Sequence, residues 1–268
     1  MPFDALLLPL LVKVAAAALV VVAASLAAEK AGPFYGGMIT ALPVSTGPAF
    51  VILAMEHGDG FLADAALSGL VGNATIVLYL ALLVRIAPRL GVVATVAVSS
   101  AFWIALAATL RSAVDWTLPL AVLLTLGCYG LAARVVSAPI PADKAARVAR
   151  SRWYDIPARA GLVGLLVATV TTLSHSIGPA ATGIAAVFPI ALTSLTAILH
   201  PRLGGAVVAA AMRSALLTNP GLALALLTAH LLAEPAGRAV ALSAALAVSL
   251  SWAGVLLMWR LRRPVQAA

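Results

Sequence analysis

Displaced by 146 positions and laid on itself without a gap, the chain matches at residues that an apolar background does not supply by chance. Gly32-Pro33, Gly37, Pro43, Gly58, Ser68 and Asn73 fall on Gly178-Pro179, Gly183, Pro189, Gly204, Ser214 and Asn219. Lys13 falls on Arg159, and Gly91 on Gly237. Helix breakers and polar residues therefore recur at fixed places, and a repeat of this kind dictates the fold more strongly than any single segment. How the two copies relate depends on the number of membrane crossings between equivalent helices.

Crossings are expected because the chain is 63% hydrophobic and only 10% charged, with a mean hydropathy of +1.09. Soluble domains average about 45–50% apolar and about 25% charged residues, so the bilayer is this chain's first partner. A net charge of +8 would suit nucleic acid. The cations, however, are scattered among loops at the ends of apolar segments, and no soluble basic face gathers them. Cys128 is the single cysteine and lies in an apolar run, which leaves no disulfide or cysteine metal site within one chain.

About 20 apolar residues cross about 30 Å of hydrocarbon. Nine segments meet that length, near 5–28, 34–55, 63–84, 91–110, 116–136, 157–175, 179–199, 206–232 and 237–259. The first begins Met1-Pro2-Phe3-Asp4, with an acid where a secretory signal carries basic residues, and is expected to remain as a helix. Loop 137–157 carries Lys144, Arg147, Arg150 and Arg152 and is expected in the cytoplasm, with the C-terminus. Glu56, Asp59 and Asp64 then fall outside with the N-terminus.

The first copy holds segments one to four and the second holds six to nine. Five crossings separate equivalent helices, so the copies run in opposite directions. The expected fold is an all-α polytopic membrane bundle of about nine helices built as an inverted-topology repeat. Residues 1–115 form one repeat, 157–268 the other, and 116–156 the unpaired fifth helix with the basic loop. Inverted repeats about an axis in the membrane plane are the architecture of many secondary transporters.

Pro43 and Pro189 occupy equivalent places inside segments two and seven and should kink or break both helices. Ser45 and Thr46 follow the first, and Thr193 and Ser194 the second. Freed backbone groups and these hydroxyls would line a solute site, or the helices simply pack with a kink. Asn73 and Asn219 are amides deep in segments three and eight; they line a path or bond between helices. Lys13 lies eight residues into segment one, about 12 Å at 1.5 Å per residue. Arg159 is its inverted mate, and Arg213 stands in segment eight. Such cations face a cavity or reach along their stems to the headgroups. Every acid maps to a segment end, which argues against a metal carrier and for an anionic solute. His175, His200 and His230 are expected near the interfaces as packing residues.

No HExxH, P-loop, nucleophile elbow or strand-bound GxGxxG is present, so the sequence indicates neither an enzyme nor a cofactor. The block Gly178-Pro179 to Gly183-Ile184-Ala185-Ala186-Val187-Phe188-Pro189, with its copy ending Ala41-Leu42-Pro43, resembles the small GlpM-like bacterial membrane proteins. That resemblance implies a bacterial inner-membrane protein linked to exopolysaccharide production, and no site residue is carried over from it. The expected function is secondary transport of a small, anionic solute by rocking of the two repeats. A passive channel and a non-transporting subunit for polysaccharide or lipid assembly are the alternatives. Small residues on many helix faces allow packing within one chain or into a homo-oligomer.

Overall fold

The computed structural model describes residues 3–30, 45–136, 152 and 154–262. They form ten helices: α1 (Phe3–Lys30), α2 (Thr46–Glu56), α3 (Asp59–Ile86), α4 (Val92–Ala113), α5 (Leu118–Val136), α6 (Asp155–Ala186), α7 (Ile190–Leu203), α8 (Gly205–Thr218), α9 (Pro220–Ala236) and α10 (Arg238–Arg262). No strand occurs among the described residues. Among the described residues six apolar segments are long enough to cross a bilayer: Asp59–Ile86, Val92–Ala113, Leu118–Val136, Asp155–Ala186, Gly205–Ala236 and Arg238–Trp259. The chain is thus a multi-pass helical membrane bundle. The segments expected at 63–84, 91–110, 116–136, 157–175, 206–232 and 237–259 each fall on one of these six. Only the last part of the segment expected at 34–55 is described, as α2. Pro43, Gly32-Pro33 and residues 137–151 of the basic loop lie outside the described residues.

Glycine and proline set the helix ends. Gly58, Gly91, Gly204 and Gly237 each stand immediately before a helix with extended ψ values of 155–172°. At Gly204 and Gly237 φ is +83° and +81°, a region that favours a residue without Cβ. Gly178 does the same inside α6, with φ +74°, and splits that helix into two pieces, Pro179 opening the second. The segment expected at 179–199 is therefore two helical pieces, divided at 187–189, with Pro189 capping α7. Gly205–Ala236 is likewise divided, at Asn219-Pro220, because Pro220 has no N–H for the preceding turn. Trp252 Nε1 donates to the Leu217 carbonyl just before this break, at 3.1 Å.

α3 is the core of the bundle and is almost wholly buried, packing against α2, α4, α5, α6, α8 and α9. α5 lies along α3. α1 packs on α6, and α9 on α10. Backbones approach closely where α3 meets α6. A Cβ on Gly183 would press into the Ala65 carbonyl, and one on Gly72 would meet Val187 Cγ2 at 2.6 Å.

Candidate functional site: a buried amide pair sharing a tyrosine

Asn73 lies midway along α3, and its side chain is fully buried. Neither its amide nitrogen nor its amide oxygen has a hydrogen-bond partner among the described residues. Asn219 lies at the α8–α9 break, and its Nδ2 donates to the Tyr129 hydroxyl at 3.0 Å. The Tyr129 hydroxyl also faces Asn73. The two amides matched by the repeat thus converge on one phenol supplied by α5. Amides each carry two donors and an acceptor, and a phenol carries one of each. This trio offers a ligand more hydrogen bonds than it uses internally. Tyr129 was not legible as a site residue, since a tyrosine in an apolar run reads as packing with a polar tip.

The hydroxyls after Pro189 do other work. Thr193 Oγ1 donates to the Pro189 carbonyl at 2.9 Å, so the Tyr79 hydroxyl, 2.8 Å away, donates to Thr193. Ser194 Oγ donates to Ala191 O at 3.0 Å, a bond within its own helix. These bonds satisfy groups at the helix break. Trp103 packs edge-on against Phe188 beside it, ring centroids 5.0 Å apart, with its buried Nε1 unpartnered. Ser45 and Thr46 sit at the start of α2, away from the trio. Thr46 borders an apolar groove of about 420 Å³ between α1, α2, α9 and α10, where it is the one hydroxyl among the lining residues.

The three cations separate. Lys13 is paired: its Nζ lies 2.8 Å from Glu56 Oε1 and 3.1 Å from Oε2. α1 begins ten residues before Lys13 and α2 stops at Glu56, which brings that acid level with the third turn of α1. The reading of Lys13 as a cation without an acid is corrected accordingly. Arg159 is half-buried on α6 with its Nε unpartnered, one turn from Asp155. The Asp155 carboxylate is taken by both terminal nitrogens of Arg202, at 2.6 and 2.7 Å. Arg213 is half-buried on α8.

No family model, curated protein or solved structure matches the chain.

Beside Lys13, the ring of His57 stacks on Phe61 and lies 4.4 Å from the ring of His175. Burial, and then the neighbouring His175, hold His57 below its ordinary pKa. Below that value it would charge, so at neutral pH it adds no charge to the Lys13–Glu56 pair. His200 and His230 bond the carbonyls of Ala87 and Ala63 at 3.0 and 2.9 Å, as expected of packing residues.

The ion pair makes a prediction. Lys13→Met orphans a partly buried carboxylate, so it should destabilise the protein more than the double variant Lys13→Met/Glu56→Gln. Thermal unfolding of the four proteins should give a coupling of about 1 kcal/mol or more. Additive losses would mean that the pair does not form.

Proposed function

We propose that the protein is a secondary transporter of the bacterial inner membrane. Its solute is small and polar and is held where Asn73, Tyr129 and Asn219 meet. One observation carries this reading: Asn73 is completely buried near the middle of the central helix, and among the described residues neither amide atom has a hydrogen-bond partner. Leaving a buried polar group unmet costs about 1–3 kcal/mol, and a ligand that bonds it would recover that. Asn219, its repeat mate, stands at a helix break, the kind of place where transporters hold their substrates.

The nine-helix inverted repeat belongs to the same proposal, and the helix boundaries support it. α3 and α4 begin at Asp59 and Val92, and α8 and α10 begin at the matched positions Gly205 and Arg238. Glu56 and Arg202 are also matched, and each closes a short helix and pairs with the helix that opens its repeat. The acid lies at the end assigned to the outside and the arginine at the end assigned to the cytoplasm, as inversion requires under the positive-inside rule. The block resembling GlpM-like proteins ends at the Pro189 break, the part of the second repeat next to α3.

Lys13 is neutralised by Glu56, so the case for an anion now rests on Arg159, whose Nε has no hydrogen-bond partner among the described residues. The test is counterflow of labelled solutes into proteoliposomes, with neutral polar solutes set against organic anions. A saturable exchange, lost in Tyr129→Phe/Asn219→Ala, supports a carrier at this site. Non-saturable flux would identify a channel, and absence of flux for every solute would sink both. The apolar groove favours one second reading, a subunit that handles lipid, which would co-purify with lipid and show no exchange.

A further inference from the structure

Glu56 and His57 end α2, and His175 lies on α6 just before the Gly178 break. We propose that these three side chains bind a divalent transition-metal ion of the Zn²⁺ type at the outer mouth of the bundle. Two imidazoles and one carboxylate are the donor set of an open zinc site, in which water takes the fourth position. One ligand atom from each residue lies within 4.8 Å of the others. Tetrahedral zinc with bonds of about 2.0–2.1 Å holds its ligand atoms about 3.4 Å apart, so closure needs a contraction of about 1.4 Å. His175 can supply it, because its side chain is 60% exposed and has no hydrogen bond among the described residues. Its Nε2 lies 3.9 Å from Glu56 Oε2, too far for a hydrogen bond and suited to an ion between them.

The other two ligands are held from behind, as ligands in metal sites are. His57 Nε2 lies 2.7 Å from Ser174 Oγ, its ring stacks on Phe61, and Arg238 donates to its carbonyl at 2.6 Å. Lys13 Nζ lies 2.8 Å from Oε1 and donates to Oε2 at 3.1 Å, and each carboxylate oxygen has a second lone pair. Oε2 therefore keeps a lone pair for a metal while Lys13 fixes the carboxylate. A bound ion would clip α2 to α6 beside a helix break and would stabilise the fold by binding only the assembled site. The site stands apart from the Asn73 trio and does not depend on transport.

The test uses the full chain without a histidine tag, stripped of metal and reconstituted in nanodiscs. Co²⁺ is added and read by its visible d–d absorption, then displaced with Zn²⁺. Expected are one ion per chain with intense bands of a four-coordinate centre, and a rise in unfolding temperature with Zn²⁺. His175→Gln and His57→Gln should each weaken binding about a hundredfold or more. His175 is exposed, so its variant folds even if that of His57 does not. Equal Co²⁺ affinity in wild type and His175→Gln, or an octahedral spectrum of weakly held ions, overturns the proposal.

Discussion

Replacing Asn73 with leucine is expected to make the protein more stable and inactive in solute exchange. Leucine has nearly the shape of asparagine and no polar atom. Asn73 gains little from the fold in return for its desolvation, since the Tyr129 hydroxyl only faces it and neither amide atom has a hydrogen-bond partner among the described residues. The substitution should therefore recover about 1–3 kcal/mol, seen as a higher unfolding temperature in detergent. Exchange should fall to background, because a site that binds a solute keeps strained or unmet groups that a stability optimum would remove. Asn219→Leu should behave in the opposite way for stability. It strips a donor from the Tyr129 hydroxyl and should cost about 0.5–1.5 kcal/mol. The contrast between two matched residues is what the measurement reads. A less stable Asn73→Leu that still exchanges solute would make Asn73 a brace between helices, and the transport site would lie elsewhere.

The helices were legible because each apolar segment is long and ends at a glycine, a proline or a charged turn. Gly178-Pro179 and Pro189 announced their breaks locally, since the missing N–H and the freedom to take positive φ are properties of those residues alone. Asn73 and Asn219 stood out as amides in hydrocarbon, and the repeat tied them together. Their meeting through Tyr129 was hidden, because nothing in the sequence says which face of α5 turns towards α3. The Lys13–Glu56 pair was hidden for a related reason: position along one segment does not say which residue of a neighbouring helix lies beside it. His57, Glu56 and His175 carry no metal-ligand spacing, 118 residues separating the two histidines. Only the packing of α2 on α6 brings them to one place. Local chemistry was readable, and convergence between distant segments was not.

Gly183→Ala should be strongly damaging for a single added methyl. Its Cβ would lie against the Ala65 carbonyl, 2.8 Å from the carbonyl carbon and 2.9 Å from Cα, where only backbone can give way. Helices α3 and α6 would have to part along the seam of Ala65, Gly69 and Gly72 against Gly183, Ile184 and Val187. Small residues let membrane helices approach this closely, and dispersion across such seams replaces the hydrophobic effect that lipid cannot supply. Overpacking costs about 1–3 kcal/mol where side chains can adjust, so a backbone clash should reach about 3 kcal/mol or more. Gly127→Ala is the control: that glycine is exposed on α5 with nothing within 4 Å of an added Cβ. It should be neutral or slightly stabilising, by less than about 1 kcal/mol. Gly72 adjoins Asn73, so a parted seam would also let water reach the buried amide. Gly183→Ala should then lose solute exchange together with stability. If Gly183→Ala unfolds at the wild-type temperature, α3 and α6 are not pressed together, and the burial of Asn73 on which the proposed site depends is lost with that seam.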